Sequence, residues 1–207
     1  MTPSIDHPAQ AGAFILDWDG VLAETRLNFA PLREKFFGGE RVPLIEAAAA
    51  LPDPLRAEAE AEIYQIEMEG AGRATAVEGA EDLLAWLSEV RKPWAVVSRN
   101  CRDSILLAAN RCGIVLPSVV LSREAPYVKP APEALALAAE RMGAPLAACV
   151  MVGDFIYDFQ AARNAGIPFV LVKASGAEWE KDAGFVYPTV VEFVSALKNF
   201  PRNHADV

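Results

Sequence analysis

Four apolar runs in this chain are each followed by side chains that carry an oxygen or an ammonium group. The runs begin at residues 13, 94, 119 and 150, and the polar residues that follow them are Asp17 with Asp19, Ser98, Lys129, and Asp154 with Asp158. In an open parallel sheet, ligands bind outside the carboxyl ends of the strands. If the four runs are strands of one sheet, these polar groups meet at one edge. Such a set of carboxylates with one lysine and one hydroxyl would suit magnesium and phosphate.

Asp17 and Asp19 lie two residues apart at the end of the first run, so both carboxylates can face one site. A carboxylate can attack phosphorus and form an aspartyl phosphate, which divides hydrolysis into two easier steps. A second carboxylate can protonate the leaving alcohol and later deprotonate the attacking water. Asp154 adds a further anion, so a cation such as magnesium must offset the cluster. Lys129 would add fixed positive charge, and Ser98 with nearby main-chain N–H groups could hold phosphoryl oxygens.

Each of these residues also has an explanation that involves no catalysis. Aspartate and glycine are ordinary turn residues after strands, and Ser98 could cap a helix. Lys129 could be a solvated loop lysine, and Asp158 could lie in the first turn of a helix, where the helix dipole favours anions. Their order at successive strand ends is what favours a shared site.

Composition excludes several classes of protein. Of the 207 residues, 53% are hydrophobic, so one domain, or a domain with a small accessory unit, can form a substantial core. The net charge of −9 argues against nucleic-acid binding, which needs a basic face. No apolar run reaches the roughly 18 residues of a membrane span. Since no exposed apolar stripe can be assigned, we expect a monomer.

The few histidines and cysteines do not indicate a metal site or a histidine-based catalytic triad. The two histidines, His7 and His204, lie near the termini, which argues against a zinc site or a histidine-based triad. The three cysteines, Cys101, Cys112 and Cys149, lack metal-ligand spacing and are expected to be free thiols in a reducing compartment. The N-terminal residues lack the basic start and apolar stretch of a signal peptide, so we expect a cytoplasmic protein.

The pattern of apolar residues predicts an α/β fold with a helical insert. From Gly79 onward, strand-length apolar runs alternate with helical patterns, which indicates βαβ units and a parallel sheet. The segment between Asp19 and Ser98 is far longer than the dozen or so residues that a crossover needs. Its excess, residues 26–75, shows no strand pattern and predicts helices over 31–37, 43–50 and 54–69. Linkers are expected near 20–27 and 72–79, and a helical hairpin packed elsewhere is the alternative.

Taken together, the motifs resemble those of the haloacid dehalogenase-like hydrolase superfamily, in members with a helical cap inserted after the first strand. The resemblance covers residues 12–198. It rests on DWDGVL at 17–22, SRN at 98–100, KPAP at 129–132, and GDFIYD at 153–158 with its continuation to Gly166. It implies an α/β fold with a Rossmann-like, three-layer core and a parallel sheet, formed by residues 1–25 and 76–207. Residues 26–75 would form a small helical cap that closes over the site.

The resemblance also implies a role for each motif residue. Asp17 would be the nucleophile and a Mg²⁺ ligand, and Asp19 the general acid and base, with its main-chain carbonyl also on the metal. Asp154 would bind the metal directly, and Asp158 would support that coordination sphere. Ser98 and the main-chain N–H of Arg99 would bind phosphate, while Lys129 would bridge the nucleophile and the phosphate.

The sequence departs from the family pattern in the insert. About fifty residues is short for this type of cap, so the site could be incompletely covered. Glu24 and Thr25 stand where many relatives carry Asp-Ser. The basic residues that could contact substrate, or could be merely solvated, are Arg26, Lys35, Arg41, Arg56 and Arg73.

The function that the sequence favours is Mg²⁺-dependent hydrolysis of a small phosphorylated metabolite. Dehalogenase and phosphonate-cleaving relatives lack or replace the second acid, so Asp19 favours a phosphate ester. A sugar-phosphate mutase would share every core motif and remains the main alternative. A phospho-receiver domain would carry its acceptor aspartate on the third strand and no helical insert. A catalytically silent interaction module is a further alternative.

Overall fold

The strands of the core lie side by side in one parallel sheet in the computed structural model, which describes residues 5–201. Residues 1–4 and 202–207, the latter including His204, lie outside the described part. In chain order the strands are β1 (Ala13–Leu16), β2 (Ala23–Glu24), β3 (Thr75–Ala76), β4 (Trp94–Val97), β5 (Val120–Leu121), β6 (Cys149–Gly153), β7 (Phe169–Val172) and β8 (Phe185–Tyr187). Six of them form the sheet in the order β5-β4-β1-β6-β7-β8, and every neighbouring pair is parallel.

Helices cover both faces of this sheet. The helices are α1 (Ala30–Phe37), α2 (Leu44–Ala49), α3 (Leu55–Ala71), α4 (Ala80–Glu89), α5 (Arg102–Cys112), α6 (Pro132–Met142), α7 (Ile156–Ala165) and α8 (Val190–Asn199). Phe14 and Leu16 belong to an apolar cluster that includes buried residues of α4, α5 and α8, whereas Ala13 and Ile15 pack with α6 and α7. Because a parallel sheet is buried on both faces, its strands are continuously apolar. The predicted three-layer α/β fold is confirmed.

The helices predicted in the insert are also confirmed. α1, α2 and α3 follow the first strand of the sheet and pack around a small apolar cluster of Leu32, Ala48, Ala59 and Ile63. The expectation that residues 26–75 contain no strand is wrong at one end, because Thr75 lies in β3. This strand pairs antiparallel with β2, and the two places where the chain enters and leaves the insert therefore lie side by side. Strands of two residues are too short to show an alternating pattern.

A buried ion pair attaches α3 of the insert to the core. Glu67 is only 3% exposed, and its Oε2 accepts a hydrogen bond of 3.0 Å from the main-chain N–H of Cys101. Its Oε1 forms an ion pair with the guanidinium of Arg123, in the loop after β5. Burial raises the pKa of Glu67, and the charge of Arg123 opposes that rise. The loss of either partner would leave the other charge buried and unpaired.

None of the helices within residues 5–201 is long and apolar enough to cross a membrane.

Truncation of Glu67 tests the strength of this attachment. We expect Glu67→Ala to lower the free energy of unfolding by about 2–4 kcal/mol, because Arg123 and the Cys101 N–H lose their buried partner. Glu58→Ala, in the same helix, is the matched control: Glu58 is half exposed and paired with Lys35, so the loss should stay below about 1 kcal/mol. Urea unfolding followed by circular dichroism measures both, and equal losses would contradict the prediction.

Candidate active site

The strand ends bring the predicted site residues to one edge of the sheet. The main-chain N–H of Asp17 donates to the carbonyl of Val152 at 2.9 Å, so the pairing of β1 with β6 continues as far as this aspartate. In the same way, the N–H of Ser98 donates to the carbonyl of Leu121 at 2.8 Å, which fixes the end of β4 against β5. Since β1 lies between β4 and β6, Asp17 lies between the ends of those strands.

The ammonium group of Lys129 joins two of the aspartates. Its Nζ lies 2.7 Å from Oδ1 of Asp17 and 2.6 Å from Oδ1 of Asp158, and the residue is 1% exposed. Burial alone would lower the pKa of Lys129, but the charges of Asp158 and Asp17 outweigh that effect and raise it. Lys129 is therefore a buried cation, and its interpretation as a solvated loop residue is wrong.

Three carboxylates form a compact group that lacks sufficient positive charge. Oxygens of Asp17, Asp154 and Asp158 lie within 4.8 Å of one another. Burial, together with the charges of Asp17 and Asp158, raises the pKa of Asp154 to about 8. Burial and Asp17 raise the pKa of Asp158 to about 7 despite the opposing charge of Lys129. Oxygen ligands of this kind are those that Mg²⁺ takes in proteins, so the group fits a divalent cation.

Two glycines make room for these carboxylates. A Cβ atom on Gly153 would lie 2.4 Å from Cβ and Cγ of Asp158, and one on Gly20 would lie 1.9 Å from Oδ2 of Asp154. Gly20 also has a φ of +80°, which residues with a side chain rarely adopt. Nothing in the sequence indicates the close approach of Gly153 to Asp158, because it depends on how β6 meets α7.

Asp19 lies at the same edge, and one of its carboxylate oxygens accepts a hydrogen bond from the linker to the insert. The main-chain N–H of Thr25 donates to Oδ1 of Asp19 at 2.8 Å. Burial raises the pKa of Asp19, although the hydrogen bonds from Thr25 oppose the rise. A raised pKa favours a carboxyl group that carries a proton, as a general acid must. Because the donor is a main-chain group, this contact does not depend on which side chain position 25 carries.

Ser98 is buried in the loop that follows β4. Its Oγ accepts a hydrogen bond of 3.1 Å from the main-chain N–H of Asn100. The N-cap of α5 is Cys101, so the interpretation of Ser98 as a helix cap is wrong. Among residues 5–201 no hydrogen bond is found for the main-chain N–H of Arg99, the group predicted to bind phosphate.

The sequence profile described as haloacid dehalogenase-like hydrolase matches residues 11–166, which is most of the chain. The chain belongs to this family.

Individual relatives match this haloacid dehalogenase-like hydrolase over only part of its length. A phosphoglycolate phosphatase of Xylella fastidiosa is 42% identical over 97 residues, which cover 44% of this chain and 41% of the relative. The pyrophosphatase PpaX of Bacillus velezensis is 30% identical over 104 residues, covering 48% and 46%. The alignments thus span less than half the length of each relative.

A solved structure shows that the likeness extends over the whole fold. The crystal structure of a hydrolase from Pseudomonas syringae superimposes with a TM-score of 0.76 at 21% sequence identity. The match covers 92% of this chain and 100% of the other.

The basic residues suggested as substrate contacts of this hydrolase have different surroundings. Arg41 is exposed, Lys35 forms ion pairs with Glu58 and Glu62, and Arg56 forms one with Asp53. Arg26 and Arg73 line a cleft of about 710 Å³ between α3 and the linker that leads into the insert. Lys35 and Arg56 therefore already have partners within the insert.

A second lysine that the sequence pattern did not single out lies at the same edge of the sheet in this haloacid dehalogenase-like hydrolase. Lys173 directly follows β7, and its Nζ lies 2.7 Å from Oε2 of Glu24 in β2. Its charge opposes the rise in the pKa of Asp154. The signal was present, because Lys173 follows an apolar run just as the other site residues do.

The close approach of Gly153 to Asp158 predicts that Gly153→Ala disrupts the site. We expect a loss of about 1–3 kcal/mol in the free energy of unfolding, because the added methyl group forces Asp158 to move. Gly184→Ala is the control, since its Cβ would contact only the carbonyl of Phe169, at 3.8 Å. Urea unfolding measures both variants. A control variant that is destabilised as much as Gly153→Ala would show that crowding at Asp158 is not the cause.

The raised pKa of Asp154 predicts how stability depends on pH when no divalent cation is present. The native carboxyl holds its proton up to about pH 8, whereas the usual value is 3.8. The unfolded state therefore loses this proton first, and stability should fall as the pH rises between these two values. Asp154→Asn should reduce this fall, and so should added Mg²⁺.

Urea unfolding at pH 5, 7 and 8.5 in a chelating buffer measures this dependence. Asp53→Asn, which removes an exposed carboxylate of the insert, is the control and should follow the unsubstituted protein. The prediction is wrong if Asp154→Asn loses stability with pH as steeply as the control.

Proposed function

We propose that this protein is a Mg²⁺-dependent phosphatase that hydrolyses a small phosphorylated metabolite through an aspartyl phosphate on Asp17. The observation that carries the proposal is the buried ammonium of Lys129, bound to Asp17 and Asp158 beside the group of three carboxylates. The phosphatase and pyrophosphatase among its relatives support phosphorus-oxygen bond hydrolysis, although each is matched over less than half its length.

The proposal includes the domain organisation. Residues 1–25 and 76–207 would form the catalytic core, and residues 26–75 a cap that covers the site and selects the substrate. The separate apolar cluster of the insert and the paired strands β2 and β3 at its base support this division.

Asp17 would act as the nucleophile. Its Oδ1 accepts a hydrogen bond of 2.6 Å from the main-chain N–H of Trp18 and lies 2.7 Å from Nζ of Lys129. Within residues 5–201 no partner is found for Oδ2, so we assign the attack on phosphorus to Oδ2. A bond forms between this oxygen and phosphorus while the bond from phosphorus to the leaving oxygen breaks.

Asp19 would then move the protons. Its protonated carboxyl donates to the leaving oxygen, and the resulting carboxylate removes a proton from the water that attacks the aspartyl phosphate. The second attack releases inorganic phosphate and restores the carboxylate of Asp17. Thr25 holds Asp19 by a main-chain hydrogen bond during both steps.

The remaining site residues would hold the phosphate. Mg²⁺, bound by Asp17 and Asp154 with the Asp19 carbonyl and with Asp158 in support, would neutralise the phosphoryl oxygens. Both oxygens of Asp158 already have partners, Lys129 and the main-chain N–H of Phe155 at 3.0 Å, so Asp158 would act mainly by orienting Lys129. The Ser98 hydroxyl and the Arg99 N–H would bind further phosphoryl oxygens.

A panel of phosphate esters, sugar phosphates and nucleotides, assayed with and without Mg²⁺, tests this mechanism. We expect Asp17→Asn to lower kcat at least about a thousandfold, because the amide cannot attack phosphorus. Asp19→Asn should lower it about 100-fold to 10,000-fold, since proton transfer is lost. Asp82→Asn, which removes an exposed partner of Lys198, is the control and should retain activity.

The same panel separates the alternatives. Activity that persists in Asp17→Asn and without Mg²⁺ would contradict the mechanism. Interconversion of sugar-phosphate isomers without phosphate release would indicate a mutase. Inactivity on every compound would favour an interaction module.

A further inference from the structure

The side chain of Arg99 contacts three separate parts of the molecule around the site. Its Nη1 donates a hydrogen bond to the main-chain carbonyl of Lys129. Its Nη2 lies 3.0 and 2.7 Å from the two carboxylate oxygens of Glu46, in α2 of the insert. Its guanidinium carbon lies 4.4 Å from the centre of the ring of Tyr157, in α7. One side chain therefore links α2 of the insert, the loop that carries Lys129, and α7.

These contacts fix the guanidinium group more firmly than an ordinary surface ion pair. The side chain of Arg99 is only 15% exposed, although that of Glu46 is 48% exposed. Arginine is suited to this position, because its planar group can bind a carboxylate, donate to a carbonyl and stack on an aromatic ring at the same time. Burial would raise the pKa of Glu46, but the hydrogen bond and the charge of Arg99, together with a main-chain hydrogen bond, outweigh that effect and lower the pKa.

The two ends of the insert are attached to the core in different ways. α3 is anchored by the buried pair of Glu67 with Arg123, and by a hydrogen bond of 2.9 Å from Tyr64 to Asp103. For α1 and α2, the polar contact with the core found within residues 5–201 is that of Glu46 with Arg99. A displacement of α2 would break this contact and its packing in the apolar cluster of the insert, but it would not break the polar contacts that hold α3 to the core.

We propose that Arg99 is a positioning residue that couples the seating of α2 to the position of Lys129. The inference rests on the proposed function, in which Lys129 binds the phosphate and the nucleophile. When α2 is seated, Glu46 holds the guanidinium group, which in turn holds the main-chain carbonyl of Lys129. When α2 moves away, Arg99 loses its carboxylate partner, and Lys129 is held less firmly between Asp17 and Asp158. The affinity for phosphate would therefore depend on whether the insert covers the site.

Two substitutions separate this coupling from a merely structural role. Glu46→Gln removes the charge that holds Arg99, and we expect KM for para-nitrophenyl phosphate to rise about three- to tenfold with kcat changed less than about twofold. Arg99→Met also removes the hydrogen bond to Lys129, so kcat should fall about tenfold or more, with partial rescue in Arg99→Lys. Asp53→Asn, which breaks an exposed ion pair within the insert, is the control.

Two further measurements do not depend on turnover. In Glu46→Gln, amide hydrogen exchange over residues 39–54 should be faster than in the control, while exchange over α3 is unchanged. The affinity for inorganic phosphate, measured by calorimetry in the presence of Mg²⁺, should fall by the same factor as that by which KM rises.

The outcomes distinguish the coupling from the proposed function. If Glu46→Gln matches the control in KM, phosphate affinity and exchange, the coupling is wrong even when Asp17 proves essential. If Arg99→Met lowers kcat while Glu46→Gln changes nothing, Arg99 acts only on Lys129 and the coupling is again wrong. If no ester is hydrolysed, yet Glu46→Gln weakens phosphate binding and speeds exchange in α2, the coupling is supported and the proposed function fails.

Discussion

The position of Lys129 between Asp17 and Asp158 is the interaction on which the arrangement of the candidate site depends. An ammonium group that is almost fully buried must be paired, because the cost of removing a single charge from water is several kcal/mol even in a real protein. Two carboxylates at 2.7 and 2.6 Å provide that pairing, and they fix the end of β1 relative to the start of α7. Gly153 permits the arrangement, because any side chain there would displace Asp158.

At the same site, the carboxylates carry more negative charge than Lys129 neutralises. Asp154 adds a carboxylate that Lys129 does not neutralise, and the high pKa of that carboxyl shows how unfavourable its charge is without a cation. Selection for stability alone would favour a neutral residue at position 154. The arrangement is therefore typical of binding sites, where a charge that destabilises the fold is retained because it binds a ligand. Lys173 and Glu24 place a further pair of opposite charges beside it without removing the excess.

The insert is attached to the core through one ion pair with a buried carboxylate and one with a half-exposed carboxylate. Its long helix α3 is held by a buried carboxylate, Glu67, whose ion pair with Arg123 cannot be broken without exposing a charge or leaving one buried. Its short helix α2 reaches Arg99 beside the candidate site through Glu46, which is half exposed. The difference follows from burial, since water competes for an exposed carboxylate and not for a buried one.

The sequence alone determined the α/β class, the positions of most helices and sheet strands, and the order of the residues at the strand ends. These properties depend on local patterns: apolar runs, helical periodicity, and the polar residue that follows each run. Tertiary structure decided the pairing of β2 with β3, the buried pair of Glu67 with Arg123, and the contacts of Arg99 with Glu46 and Tyr157. Each of these contacts joins residues that lie far apart in the chain. In the sequence, the charged residues that form them look the same as charged residues that remain exposed. Only the packing of the insert on the sheet selects which of them meet.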